Sequence, residues 1–187
     1  MRFASRESIL RLMNELDEFW SEKLAAAIAS ARESGRGDLA DYLQLKAAND
    51  SVRQAAVDAL FSGVIELALS DEHRPKNIAV ERESPHSFHH RGANLAGSLV
   101  RLRYGVRCLT IEAGWTRTPS DGFMRLGALA FARLTHFGMP EANAEFMLKN
   151  ADHGHLWTAI RNEKAAFNVR AEHMAQHFKL LLGVTTK

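Results

Sequence analysis

The sequence is poor in cysteine and contains no long apolar segment. Cys108 is the single cysteine among 187 residues, which excludes an intrachain disulfide bond and a zinc site built from several cysteines. No run of about 18 apolar residues is present, and the first residues lack the apolar core of a signal peptide. These absences predict a cytoplasmic protein with no membrane partner.

Common catalytic and cofactor-binding motifs are missing as well. The sequence contains no GxGxxG, GxxxxGK[ST], GxSxG or HExxH pattern, and its one cysteine forms no redox or metal motif. The composition is otherwise that of an ordinary globular protein, with 46% hydrophobic and 25% charged residues. We therefore predict no cofactor, and a binding protein is favoured over an enzyme.

Proline is absent from the first 74 residues, which hold three of the twelve glycines. Apolar residues recur there at three- and four-residue spacing, which is typical of helices with one buried face. We predict about three helices, over Arg6–Arg32, from Asp38 to about residue 48, and over Val52–Leu69. The cap-type sequence Asn-Asp-Ser at 49–51 predicts a break between the last two, because such side chains compete for helical hydrogen bonds.

The segment Ser98–Trp115 predicts a β-hairpin, because β-branched and aromatic residues fill two short runs around a glycine. Gly105 can adopt the positive φ of a tight turn, so the turn is placed at Tyr104-Gly105. Side chains alternate between the two faces of a strand. The core face is then Val100, Leu102, Leu109 and Ile111, with Arg107 near the turn, and the other face carries Arg101, Arg103, Thr110 and Glu112 with Leu99, Val106 and Cys108. In this register Leu102 lies opposite Arg107.

The rest of the chain is punctuated by turn residues. All four prolines and eight glycines lie between Pro75 and Gly154, which is typical of short strands joined by turns. We predict strands at 77–83 and 128–137, a hairpin within 155–169, loops at 84–97 and 114–127, a short helix at 140–149 and a closing helix at 170–182.

Helices and strands are thus segregated along the chain, which predicts an α+β fold. Its N-terminal helices, about three, pack with a mainly antiparallel sheet of four to six strands, and a C-terminal helix closes the chain. We predict one domain over 1–187, with a helical part at 1–74 and a sheet part at 75–187.

Charge is distributed unevenly between these parts. Residues 1–74 hold 9 Lys/Arg and 13 Asp/Glu, a net of −4, whereas residues 75–187 hold 15 and 9, a net of +6. Every basic residue between Glu81 and Arg133 is arginine, whose planar fork suits carboxylates and phosphates. This asymmetry has two interpretations. The basic sheet part forms a contact surface for a partner, or the acidic helices of the same chain neutralise it.

The leading hypothesis is a non-enzymatic binding or accessory protein that contacts a nucleic acid or a larger protein assembly. Its surface would be the arginine-rich sheet face and the 114–127 loop, since aromatic residues and arginine anchor interfaces and also stack on bases and grip phosphates. The predicted binding residues are Arg101, Arg103, Trp115, Arg117, Phe123 and Arg125. For Trp115 and Phe123 the competing reading is burial in the core, and self-association is a further alternative.

The alternative from another class is a metal-dependent hydrolase or nuclease. Glu112 is the candidate catalytic residue, although a carboxylate near Arg101, Arg103 and Arg117 suits an ion-pair cluster better than a general acid. His173 and His177 are four residues apart on the closing helix, which is the spacing of two helix-borne metal ligands. The segments Asp152–His155 and His86–His90 could supply further ligands, but the sequence identifies none of their residues as the third.

Overall fold

The computed structural model describes residues 22–70, 77–152, 154–162 and 164–184. They form three helices and one seven-stranded antiparallel sheet, so the α+β prediction is confirmed, with seven strands in place of four to six. The chain clusters into two compact units, Met1–Ser51 and Val52–Lys187; the predicted single domain stays a prediction. None of the described helices is long and apolar enough to cross a membrane.

The first unit contains helix α1, described over residues 22–33, and the beginning of helix α2, Gly37–Leu69. Most of the helix predicted over Arg6–Arg32 lies outside the described residues. The predicted break at 49–51 is wrong, because α2 is continuous. Asp50, a residue of the predicted cap, instead forms an ion pair with Lys46 one turn earlier in the helix, with 2.7 Å between Lys46 Nζ and Asp50 Oδ2.

The sheet is a meander in which each strand pairs with the next along the chain. Its strands are β1 Ala79–His90, β2 Ala93–Tyr104, β3 Arg107–Trp115, β4 Ala130–His136, β5 Ala144–Ala151, β6 Gly154–Arg161 and β7 Lys164–Asn168, followed by helix α3, Ala171–Leu182. The hairpin predicted within 155–169 and the closing helix are confirmed.

Two element predictions in the sheet part are wrong. The segment 84–97 is not a loop, because it forms the paired ends of β1 and β2 around a turn at Arg91-Gly92, both with positive φ. The predicted helix at 140–149 is strand β5, preceded by a single helical turn, Pro140–Ala142. The consecutive apolar residues 146–148 suit a strand with both faces covered, and all three are buried.

The central hairpin forms, but its turn is Gly105-Val106, one residue later than predicted. Leu102 therefore pairs with Leu109 and Val100 with Ile111. Each residue of β2 thus pairs with a residue of β3 two positions later than predicted. Because side chains alternate between the faces with a period of two, this shift leaves every strand residue on its predicted face. The predicted core face is accordingly buried, whereas Val106 stands in the turn at 93% exposure.

The buried face of the sheet forms one core with helices α2 and α3. Helix α2 contributes Val57, Phe61, Val64 and Ala68 at helical spacing, and α3 contributes Met174, Phe178 and Leu181. A second, smaller cluster lies on the opposite face and contains Phe88, Ala93, Leu95 and Phe131. This second face, which also carries Arg101 and Glu112, is called the polar face below.

Candidate functional site

The arginines of the polar face are paired with carboxylates. Arg101 Nη1 lies 3.0 Å and Arg103 Nη2 3.6 Å from the same oxygen, Glu81 Oε2. Arg82, on the same strand as Glu81, lies 2.6 Å from Asp58 of helix α2. The sheet therefore carries alternating charges, and one of its arginines is neutralised by the acidic helix of the same chain.

Glu112 lies on the predicted face, and its partners are Arg133 and His86. Arg133 Nε and Nη2 both donate to Glu112 Oε2, at 2.9 and 2.6 Å, and His86 Nε2 lies 2.9 Å from Oε1. The second ring nitrogen of His86 lies 3.2 Å from Glu83. Both oxygens of Glu112 are thus occupied within a side chain that is 13% exposed, an arrangement typical of a structural ion pair.

Trp115 and Arg117 lie at the beginning of the 114–127 loop. Trp115 is 1% exposed and belongs to the main core, the position expected from the competing interpretation of burial. The Arg117 guanidinium lies 3.8 Å from the centre of the indole ring, a cation–π contact. Asp121 accepts the backbone N–H of Thr118 and of Arg117, and these bonds, with one from the Thr118 hydroxyl, lower the pKa of Asp121.

The loop covers a small cavity at the end of the polar face, here called the loop pocket. Its volume is about 100 Å³. Apolar residues form most of its lining, and arginines and His90 supply its polar atoms; it is lined by His90, Arg91, Ala93, Leu95, Phe123, Met124, Arg125, Leu126, Ala128, Phe131, Met147 and Ile160. Two of the six predicted binding residues, Phe123 and Arg125, therefore meet at one cavity.

Exposed apolar side chains stand beside this pocket. Phe123 is 82% and Leu126 54% exposed, although both belong to its lining. Leu126 has φ of 59°, the left-handed region that a leucine rarely adopts. Gly122 packs against Ala93, where a Cβ would lie 3.1 Å from the Ala93 Cα. The loop thus has a strained, close-packed conformation that keeps two large apolar side chains in solvent, a feature of interaction sites.

His90 is one of the polar residues of the pocket. Its ring stacks on Phe131 with 3.5 Å between ring centres. Burial lowers the pKa of His90, and Arg91, Arg133 and Arg125 lower it further against the opposing effect of Glu145. Glu145 also lies 3.3 Å from Arg91. The imidazole is therefore neutral at pH 7, and the cationic groups at the pocket are Arg91 and Arg125.

His173 and His177 lie on α3 and have different partners. His173 Nδ1 accepts the backbone N–H of Arg170 at 3.0 Å, so its neutral ring carries the proton on Nε2 and offers no lone pair for a metal there. His177 Nδ1 lies 3.1 Å from Nε2 of the buried His136. Among the described residues no group of three or more His, Cys, Asp or Glu side chains could hold a metal ion.

Several of these residues escaped the sequence reasoning. The sequence suggests His90 only as a further metal ligand, Arg91 lies in the segment predicted as a loop, and Arg133 and His136 reach their partners across 21 and 41 residues. The three consecutive aromatic rings of Phe88-His89-His90 were a signal for a site in this segment. In the structure, Phe88 and His90 lie on one face of β1 and His89 lies on the other. Comparison with protein-family models, with curated proteins and with solved structures found no match.

Proposed function

We propose that this chain is a non-enzymatic binding protein that docks a segment of another protein at the loop pocket. The carrying observation is the exposed Phe123 beside a cavity with an apolar floor and two arginines. Aromatic side chains, pockets and arginines are the parts from which interaction hot spots are built. The cytoplasmic location expected from the sequence belongs to the same proposal.

The dimensions of the pocket favour a particular kind of segment. An apolar cavity of about 150 Å³ holds benzene, so a volume of about 100 Å³ suits one aliphatic side chain. Arg125 would attract a carboxylate next to that side chain, whereas Arg91 is already paired with Glu145. The preferred segment therefore has a leucine, isoleucine, valine or methionine beside an aspartate, a glutamate or a free C-terminus.

Selection from a library of random peptides tests this proposal directly. We expect enrichment of an aliphatic residue next to a carboxylate, because the first fills the cavity and the second meets Arg125. Binding of a labelled enriched peptide should weaken at least about tenfold in Phe123→Ala and in Arg125→Ala, the loss typical of hot-spot residues.

Matched controls are available elsewhere in the sheet. Phe137 is 77% exposed at the other end of β4, and Lys164 is an exposed cation at the edge strand. Phe137→Ala and Lys164→Ala should leave peptide affinity unchanged. Enrichment without the aliphatic–acidic pattern, or equal losses in the control variants, would refute the proposal.

Single-stranded nucleic acid is the second candidate, because Phe123 offers a ring on which a base could stack and Arg125 lies near it. Pairing of Arg101 and Arg103 with Glu81 argues against a continuous phosphate track along the sheet. Anisotropy titrations with short DNA and RNA at several salt concentrations decide between the candidates. Affinity that falls steeply with salt and is lost in Arg101→Ala/Arg103→Ala or Arg117→Ala/Arg125→Ala would favour the nucleic acid.

A further inference from the structure

A second cavity, on the side of the sheet that carries helix α3, contains two histidines, and it is called the histidine cleft here. Its volume is about 600 Å³, within the range of small-molecule sites. Glu141, Phe146, Arg161, Phe167, His173 and His177 are among the residues that line it. The hydrogen bonds of the histidines determine which chemistry the cleft presents.

His173 presents an N–H group to its surroundings. Its Nδ1 accepts the Arg170 backbone N–H, which closes the first turn of α3. Because the backbone nitrogen can act only as a donor, Nδ1 must be the unprotonated nitrogen and Nε2 must carry the hydrogen. The ring is held against Phe167, with 4.6 Å between ring centres.

His177 has its tautomer fixed by His136. One of the two rings must donate across the 3.1 Å separation between His177 Nδ1 and His136 Nε2. The Nδ1 atom of His136 is buried and has no partner within the described part of the chain. An unsatisfied buried acceptor is tolerated better than an unsatisfied buried N–H, so His136 donates from Nε2 and its Nδ1 stays unprotonated. His177 then accepts at Nδ1 and carries its hydrogen on Nε2.

Both rings lie one turn apart on α3, at positions that share a face of the helix. Arg161, whose guanidinium lies 5.3 Å from the centre of the Phe167 ring, adds a cation to the same cleft. Phe167 and Leu180 supply apolar surface. Of the acidic residues in the lining, Glu145 is paired with Arg91, and Glu141 is exposed at the edge.

We propose that the histidine cleft binds a small organic carboxylate, whose oxygens accept from His173 Nε2–H, His177 Nε2–H and the Arg161 guanidinium. Its apolar body packs on Phe167 and Leu180. Two N–H donors of neutral rings and one cation suit a single negative charge, and the preset tautomers remove the cost of rearranging the site on binding.

Long-range ¹H–¹⁵N NMR spectra of the imidazole rings test the proposal in the unmodified full chain. Without ligand, we expect His173 and His177 to show protonated Nε2 and unprotonated Nδ1 at pH 7.5. The probes are benzoate and hexanoate, with benzamide and hexanamide as uncharged counterparts. Saturable shifts of both rings are expected with the carboxylates, and roughly tenfold weaker binding with the amides, because charge-assisted hydrogen bonds are about twice as strong as neutral ones.

Variants separate binding from folding. Arg161→Gln should weaken benzoate binding, and Glu141→Gln should strengthen it by removing a like charge from the edge of the cleft. His155→Gln, at an exposed position of β6, is the control and should change nothing. A proton on Nδ1 of either ring, no saturable shift up to about 20 mM, where a millimolar site is occupied, or equal binding of acids and amides would each overturn the proposal.

Discussion

At the scale of single residues, the buried imidazoles of His136 and His177 make the stability of the fold depend on pH. Burial, together with smaller effects of the neighbouring His136 and His173, lowers the pKa of His177 from 6.5 to about 4. Burial also lowers the pKa of His136. Both rings are therefore neutral in the folded protein at pH values where the unfolded chain already binds protons.

Stability should consequently fall on acidification. Above the unfolded pKa of 6.5 neither state is protonated, and the full stability is present. Between pH 6.5 and about 4 the unfolded state binds more protons, so the free energy of unfolding decreases as pH falls. Urea denaturation between pH 7.5 and 4.5 measures this slope. It should become shallower in His177→Gln and stay unchanged in His155→Gln; the same slope in all three proteins would contradict the assignment.

The ion pair of Glu112 and Arg133 allows a second prediction at this scale. Arg133→Ala leaves a mostly buried carboxylate without its two strongest donors, at 2.9 and 2.6 Å, and should lower the free energy of unfolding by about 1–3 kcal/mol. Arg103→Ala removes a pair of 3.6 Å between side chains that are about half exposed, and should change it by less than about 0.5 kcal/mol. Urea denaturation at pH 7.5 distinguishes the two, and equal effects would refute the structural role given to Glu112.

At the scale of elements, strands β2 and β3 approach each other through a glycine pair. Gly97 and Gly114 are directly opposite on the polar face. A Cβ on Gly97 would overlap the Ala113 carbonyl oxygen, and one on Gly114 would lie 2.9 Å from backbone atoms of Ala96. Gly63 of α2 is different, because a Cβ there would meet nothing within 4 Å.

The same substitution should therefore have opposite effects at the two positions. Gly63→Ala is expected to stabilise the protein by about 0.5–1 kcal/mol, because alanine loses less backbone entropy in a helix. Gly97→Ala should destabilise it by about 1–3 kcal/mol or more, because a packed strand pair must separate to admit the methyl group. Thermal and urea unfolding of both variants measure this, and a stabilising Gly97→Ala would contradict the close approach of β2 and β3.

The sequence predicted secondary-structure elements well where the apolar residues follow a single helix or strand period. It predicted them poorly where the pairing between strands determines the structure. The hairpin faces followed from strict alternation, whereas its register depended on whether the turn used Tyr104-Gly105 or Gly105-Val106. The residues of 84–90 read as irregular, yet β2 supplies hydrogen-bond partners for most of them. In α2 the cap-type residues at 49–51 remain helical, with the ion pair of Lys46 and Asp50 within the same turn.

At the scale of the whole molecule, the charge asymmetry of the sequence is partly neutralised inside the chain. Arg82 pairs with Asp58 across helix and strand, and Arg91, Arg101 and Arg133 each lie within 3.3 Å of a glutamate of the sheet. The net charge of the sheet part is thus a poor guide to a contact surface. The proposed docking site therefore rests on the loop pocket and its exposed Phe123, which combine shape with charge.

The sequence by itself determined the α+β class, the apolar helices at the two ends of the sheet part, the buried face of the central hairpin and the position of Phe123 and Arg125 in the 114–127 loop. These depend on periodicity and composition, which are local properties. The tertiary structure alone decided the strand register, the partners of Glu112, the loop pocket and the pairing of His136 with His177. Such features depend on contacts between residues far apart in the chain, whose geometry is set only when the sheet and helices pack.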